Sequence, residues 1–596
     1  MAKRKKRSAR KAKGRAGPGR SAHGPTPSSG RAAQKPNVRR RVPLSHPTLA
    51  IIGTFGPSMC TLTQRGGTYK VDDTRVEELI REGMGIVRIN FSHVPKMQYG
   101  KIECFIAHVR DVEKKTKIPI PIMMDLKGPE IRIRRITARP PSDKNQKNQP
   151  KVPLKRGDFV QFYQRWKPNS VGHPKVAAYA ALEFEGTFAA IVNPDDSVVA
   201  GDNDLFLEVI AKDPPTSVVC KVKDTGTLKK GHSLNLPEHE HLNVPPVPRA
   251  DRDAIAHGFD IDLIAQSFVQ SVDDIVRLHE NLTQTKRKHI RIIAKIETQA
   301  AFENIDDILG HKLVYGIMVA RGDLGVLVPY RTIPERQVRL VNTANKLGKP
   351  VIVATQLLES MMNRPTPYRS EVQDIWTAVR EGADALMLSG ETAKGNYPVH
   401  SVSVMRDVVR ECTPIDQDEY LRKFDGKYAL PTVSRPIDAL GFAICEVAKE
   451  ANAPVIFSYA TEGRSATRIS RCRPSSPIVT ITTSPRTARE LVLLYNVYPV
   501  FVGRGPSNPL PRQPKEFIEF IWQIISREQD LEDAIRSQRK EVGTFFLVGT
   551  EELTKLLNQG GGRGKARGIF VFEPPPGLIP ASTSSSFKPQ AARNAP

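Results

Sequence analysis

Eight short runs of β-branched and apolar residues recur along the chain, at 50–54, 86–91, 120–125, 261–266, 291–296, 316–320, 350–355 and 384–389. Amphipathic stretches with helical spacing separate them. Runs that are apolar throughout suit strands buried on both faces, and strands alternating with helices make parallel βα units. Eight such units predict a closed (β/α)8 TIM barrel, an α/β fold that delivers the C-terminal ends of its strands to one rim.

The spacing also divides the chain. Residues 48–138 carry the first three strands and 246–415 the other five, so 139–245 reads as an insertion. It has β-type runs of its own (Asp158–Tyr163, Leu205–Ile210, Ser217–Val222) between Pro-rich edges, as expected of a β-rich lid domain on a rim loop. Residues 416–573 predict a C-terminal α/β domain of regulatory type. Its first helix is expected to place Leu440, Ile444 and Val447 on one face, and its strands include Pro454–Tyr459, Ile478–Thr482 and Thr544–Val548. The Pro/Ser-rich tail, 574–596, is expected to be disordered.

A formal charge of +26 suggests a nucleic-acid binder until it is located. Residues 1–41 hold 15 Lys and Arg, and the first acidic residue is Asp72. The excess is thus concentrated in a basic arm, 1–47, too rich in Gly, Pro and Ser to bury a core. Three readings stay open for the arm: a solvated tail, a weak polyanion or nuclear-import contact through Lys3–Arg7, or an organelle leader. No apolar run has the roughly 18–20 residues of a membrane span, so a cytoplasmic protein with no membrane partner is expected. Six scattered cysteines without a C-x-x-C pair argue against a disulfide framework or a zinc site.

Chemistry-bearing residues sit where the predicted strands end. Alternation places Arg88, Asn90 and Ser92 on one face, and Lys295 and Glu297 on another. Asp125, Asp323 and Thr355 end or follow apolar runs. Charges there need a reason to be desolvated, and together they predict an active-site rim. Glu297 and Asp323 are two hard oxygen ligands, the number Mg²⁺ commonly takes from protein. Asn90, Ser92 and Asp125 offer further oxygens suited to a monovalent cation. Arg88, Arg132 and Lys295 supply the positive charge that a transferring phosphoryl group requires. No Walker loop and no Ser–His or Cys nucleophile is placed, so phosphoryl transfer with Mg²⁺ uses the inventory best.

Thr54-Phe-Gly-Pro57, Arg88-Ile-Asn-Phe-Ser-His93, Met124-Asp-Leu-Lys-Gly-Pro-Glu-Ile-Arg132, Lys295-Ile-Glu297, Met318–Gly325, Ala354–Met361 and Leu388–Gly395 resemble the pyruvate kinase family in order and spacing. The resemblance spans about 48–572. It implies transfer of the phosphoryl group of phosphoenolpyruvate to ADP, giving pyruvate and ATP, with Mg²⁺ and K⁺ as cofactors and a homotetramer or other homo-oligomer as the assembly. Carried onto this chain, Arg88, Lys295 and Thr355 are catalytic, and Gly322 and Asp323 join them in holding substrate. Glu297 and Asp323 bind Mg²⁺; Asn90, Ser92, Asp125 and the carbonyl of Leu126 bind K⁺. Asn90, His93, Arg132 and Lys230 resemble nucleotide contacts. The chain departs from the family pattern at Ala50, Val94, Leu126, Glu238, Leu327 and Gln373, none of them a phosphoryl-binding side chain.

In the third domain, Thr461, Glu462, Gly463, Arg464 and Ser465 resemble the place where relatives hold a sugar-phosphate effector. Gly560–Gly568, with Arg563, Lys565 and Arg567, reads either as a phosphate cradle or as a basic hairpin loop. Beside the enzyme, a second class stays open: a drifted barrel kept as a binding or structural component, for instance of a ribonucleoprotein.

Overall fold

The structure, a computed structural model, describes residues 49–413 except 66–67, 139–147, 165–175, 184, 202–203, 214–216 and 238–243. It also describes 436–502 except 452, 454 and 461, and two further strands, 545–548 and 569–572. The basic arm 1–47, the tail 574–596 and the loop Gly560–Gly568 lie outside the described residues.

Eight parallel strands close one barrel: β1 (Ala50–Thr54), β2 (Met84–Asn90), β3 (Ile122–Asp125), β4 (Leu263–Gln266), β5 (Arg291–Ile296), β6 (Val314–Ala320), β7 (Val351–Ala354) and β8 (Ala385–Leu388). Each pairs with its neighbour in sequence, and β8 returns to β1 with Ala385 opposite Ala50. Side chains alternate as period two requires. Ile52, Ile86, Met123, Leu263 and Ile293 fill the inside, whereas Ile51, Val87, Met124 and Ile264 pack outward against the helices. A fully buried aliphatic side chain contributes roughly 1.5–3 kcal/mol. Strands buried on both faces therefore carry the stability, and charge enters only where they end.

Residues 131–245 contain a second closed barrel with its own core, made of seven strands. It begins earlier than expected. The strand Ile131–Thr137 pairs with Ser233–Asn235 and Val176–Glu183, so the inserted unit takes in residues assigned to the first barrel segment by the 139 boundary. Ile131, Ile133 and Ile136 point into the lid core while Arg132, Arg134 and Arg135 face away from it. An antiparallel hairpin, Cys60–Arg65 with Thr68–Thr74, follows β1 and was not foreseen.

The third domain holds a five-stranded sheet in the order 497–501, 478–482, 456–459, 545–548, 569–572, parallel except for the last pair. Its helix Pro436–Glu450 buries Ile444, Cys445 and Ala448. Val447, expected on that face, is 41% exposed. The buried positions 441, 444, 445 and 448 centre on one side of the helix, and Val447 falls beyond the edge of that stripe. All six cysteines are free.

This domain also seals the N-terminal end of the main barrel. Leu493 is fully buried in the inner layer with Ile52, Met318 and Ile352, and its neighbour Val492 lies against Gly85 at the start of β2. Around this plug, Arg473 (1% exposed) pairs with Asp384 at 3.0 Å and stacks over Tyr495, with its guanidinium carbon 4.5 Å from the ring centroid. Asp384 in turn accepts the backbone N–H of Val351 at 2.9 Å and of Tyr495 at 3.3 Å. Leu493→Ala should lower stability by about 2–5 kcal/mol, the cost of a buried leucine with an unrelaxed cavity. Denaturant titration of the full chain measures it, and a loss below about 0.5 kcal/mol would mean the plug is not packed.

Candidate active site

Four charges meet at the ends of β2, β3 and β5, all nearly inaccessible to water. Arg88 donates from Nε to Asp125 Oδ2 at 2.7 Å and from Nη1 to Thr54 Oγ1 at 3.0 Å. Lys295 Nζ lies 3.2 Å from Asp125 Oδ1, 2.7 Å from Glu297 Oε1 and 2.7 Å from Ser267 Oγ. Relative exposures run from 0% for Glu297 to 7% for Lys295. Burial lowers the Lys295 pKa, but the Asp125 and Glu297 carboxylates outweigh it and hold the ammonium well above its ordinary value. Burial raises Asp125, and the two cations more than reverse this. Glu297 goes the other way: burial, with Asp323 adding like charge, pushes it up to about 7 despite Lys295. Each buried ion costs several kcal/mol of desolvation. Four together are a poor way to gain stability and a good way to present charge to an anion.

A second constellation lies at the ends of β6 and β7. The helix Arg321–Leu327 starts directly after β6, and its Gly322 N–H donates to Thr355 Oγ1 at 3.0 Å. Thr355 Oγ1 donates to the Ala354 carbonyl at 2.6 Å. Thr355 and Gln356 have φ of 70° and 56°. For a β-branched residue this region is strained, which is typical where a side chain must be aimed. Arg321, missed in the sequence, anchors the helix start through Asp374 at 2.7 Å. Asp323, in the first turn, is exposed to solvent.

Asn90 ends β2 opposite Asp125, and its Oδ1 accepts the Ser92 N–H at 3.0 Å. The Leu126 carbonyl accepts from Ser267 Oγ at 2.8 Å. Arg132 donates to Glu130 at 2.6 Å and to the carbonyl of Gly231, next to Lys230 in a lid turn, at 3.4 Å. His93 follows Ser92 on the rim. Partial burial and then the Arg132, Arg88 and Lys394 cations push its pKa below the ordinary histidine value. These residues therefore share one mouth between barrel and lid. Glu462–Ser465 lie apart, in the third domain. There Arg464 and Glu462 form an exposed pair at 2.6 Å, and Thr461 lies outside the described residues.

Sequence reasoning also missed Ser267, Lys394 and Glu391. Ser267 follows β4 with no charge to flag it. Lys394 and Glu391 lie in the quoted run Leu388–Gly395. Glu391 accepts the N–H groups of Ser389 (2.8 Å) and Leu358 (3.2 Å), tying the ends of β7 and β8 together.

Glu297 Oε1 is buried, accepts no well-directed hydrogen bond and has Asp323 as a like-charged neighbour, a repulsion that a divalent cation would relieve. Among the described residues no group of three or more Asp, Glu, His or Cys stands ready for a metal. Two carboxylates are what Mg²⁺ needs when water and phosphate complete its shell. Asn90, Ser92, Asp125 and the Leu126 carbonyl provide only oxygen, with free lone pairs on Asn90 and on the carbonyl.

A (β/α)8 barrel with a lid over buried cations and paired carboxylates defines an enzyme that handles anionic, phosphate-bearing substrates. A family model described as pyruvate kinase, barrel domain, matches residues 47–402, and one described as pyruvate kinase, alpha/beta domain, matches 438–531. The pyruvate kinase of Clostridium acetobutylicum is 32% identical over 436 residues, covering 73% of this chain and 86% of its own. That of Geobacillus stearothermophilus is 33% identical over 453 residues, covering 75% and 70% respectively. The chain belongs to the pyruvate kinase family.

Lys295→Met would leave Glu297 with no cation and Asp125 with Arg88 alone. Breaking a buried pair in this way should cost about 3–5 kcal/mol in denaturant titration. A loss under about 1 kcal/mol would show that the cluster is solvated rather than buried.

Proposed function

We propose that this chain transfers the phosphoryl group of phosphoenolpyruvate to ADP, giving pyruvate and ATP. The observation that carries this reading is the buried Arg88–Asp125–Lys295–Glu297 cluster at the strand ends. In it, two fixed cations lie at the mouth that His93 borders from the barrel rim and Arg132 from the first lid strand.

Arg88 holds the phosphoryl group in the ground state, and Lys295 neutralises charge on it as the bond to the enolate oxygen breaks and the bond to ADP forms. Both are preorganised by carboxylates, so little reorganisation is needed during transfer. The Asp323 amide, in the first turn of the helix Arg321–Leu327, opens toward the substrate carboxylate, and the Gly322 amide would exchange its Thr355 bond to join it. Thr355 stands beside the enolate carbon that is protonated. Asn90, His93, Arg132 and Lys230 position the nucleotide. Glu297 and Asp323 would hold Mg²⁺, which supplies Lewis-acid charge to phosphoryl oxygens when bound. Asn90, Ser92, Asp125 and the Leu126 carbonyl would hold K⁺.

The same reading extends to the whole molecule. The protein acts in the cytoplasm; among the described residues no helix is long and apolar enough to cross a membrane. It assembles with copies of itself, which exposed Tyr330, in the turn before helix Ile333–Leu347, and Tyr368 and Trp376, at the start of and within helix Arg369–Glu381, support. Thr461, Glu462, Gly463, Arg464 and Ser465 receive a phosphorylated effector, and the basic arm makes weak polyanion contacts.

The test is coupled ADP phosphorylation across Mg²⁺ and K⁺ series. Asp323→Ala and Glu297→Ala should each raise the Mg²⁺ requirement at least tenfold and depress turnover, whereas Asp125→Asn should change the K⁺ response. Unaltered K⁺ dependence in Asp125→Asn would show that the monovalent site has been misplaced.

A further inference from the structure

Asp251 belongs to the first turn of the helix Arg249–His257, flanked by Arg249, Arg252 and Asp253, where an acidic residue reads as surface charge. It is 2% exposed. Its Oδ1 accepts the Lys127 N–H at 3.0 Å and its Oδ2 the Gly128 N–H at 2.8 Å. The first of these amides belongs to the same peptide unit as the Leu126 carbonyl. In a trans peptide N–H and C=O point in opposite directions within one plane, so a grip on the N–H dictates where the carbonyl aims.

The carbonyl of that peptide and the peptide before it are held as well. Leu126 N–H donates to the Ala265 carbonyl at 2.9 Å, and the Leu126 carbonyl accepts from Ser267, the hydroxyl that also meets Lys295. Gly128 has φ 69°, and a Cβ there would lie 2.8 Å from the Ser267 Cβ, so the loop can follow only this path. A carboxylate bonded to the amide also polarises the peptide and enriches the carbonyl oxygen in negative charge.

We infer that Asp251 is a positioning residue for the monovalent-cation site: it orients and polarises the Leu126 carbonyl by holding the Lys127 and Gly128 amides. The inference rests on the reading that this carbonyl serves K⁺. A mere staple between helix and loop would affect stability alone; a positioning role also sets the cation response.

The experiment uses the full chain as wild type, Asp251→Ala, the isosteric Asp251→Asn and the control Arg252→Ala. The control breaks the 3.1 Å Arg252–Glu185 pair on the same helical turn and leaves Asp251 in place. Two quantities are read: the K⁺ half-saturation of turnover, and hydrogen exchange at the Lys127 and Gly128 amides. Asp251→Asn should raise K⁺ half-saturation at least fivefold and Asp251→Ala at least tenfold, with faster exchange at both amides. Arg252→Ala should stay within twofold. If Asp251→Ala fails to fold, the Asn variant decides. An unchanged K⁺ response in Asp251→Asn, with the wild type K⁺-dependent, overturns the inference. A wild type that turns over without K⁺ refutes the cation assignment of Leu126 instead. Exchange then judges Asp251 by itself, and equal protection in wild type and Asp251→Asn overturns it.

Discussion

Lys295 is the point on which the rest of the rim depends. One ammonium spans two buried carboxylates from different strands, and Arg88 spans Asp125 and Thr54 from a third direction. The cluster thereby ties the ends of β1, β2, β3 and β5 into one electrostatic unit. Its charges nearly cancel, which makes burial tolerable, and they do so without water, which keeps each cation fixed and poorly screened. Glu297 is the exception in this balance: its burial, with the like charge of Asp323 added, pushes its carboxyl up despite Lys295.

Geometry of this kind needs a rigid frame at both ends of the barrel. At the catalytic end, Thr54 Oγ1 donates to the Leu388 carbonyl at 2.8 Å and Thr392 Oγ1 accepts the Thr54 N–H at 2.8 Å, locking β1 to β8. At the opposite end Leu493 fills the interior and Arg473 crosses from the third domain to Asp384. The strand starts are held there too: Ile122 N–H donates to Asp262 Oδ2 at 2.9 Å, and Arg489 of the third domain pairs with the other oxygen of Asp262 at 2.9 Å. The third domain is thus physically continuous with the strands whose far ends carry the buried charge cluster.

How much of this was legible in the sequence depends on what each residue has to contrast with. Arg88, Asp125, Lys295 and Glu297 stand out because each interrupts an apolar run, and period two puts them on the rim. The eight strands were legible for the same reason. Ser267 was not, because a serine after a strand is ordinary and its role comes from two partners far along the chain. Asp251 was hidden in a charged helical turn that looks solvated. Ile131–Thr137 largely alternates Ile with Arg after the Lys127-Gly128-Pro129 turn, and that pattern marks a strand without saying which sheet it joins. The Cys60–Thr74 hairpin lacks a long apolar run, and Val447 shows that an apolar residue on a helix need not follow the buried stripe.

Fixed, buried cations at the strand ends suit transfer of a phosphoryl group from an enol to a nucleotide. The most direct measurement follows the phosphorus-31 resonances of phosphoenolpyruvate and ADP in the presence of the purified full-length chain with Mg²⁺ and K⁺. The phosphoenolpyruvate signal should fall with matching growth of the γ-phosphate of ATP. Release of inorganic phosphate in place of ATP, or no change with the folded protein, would contradict such transfer.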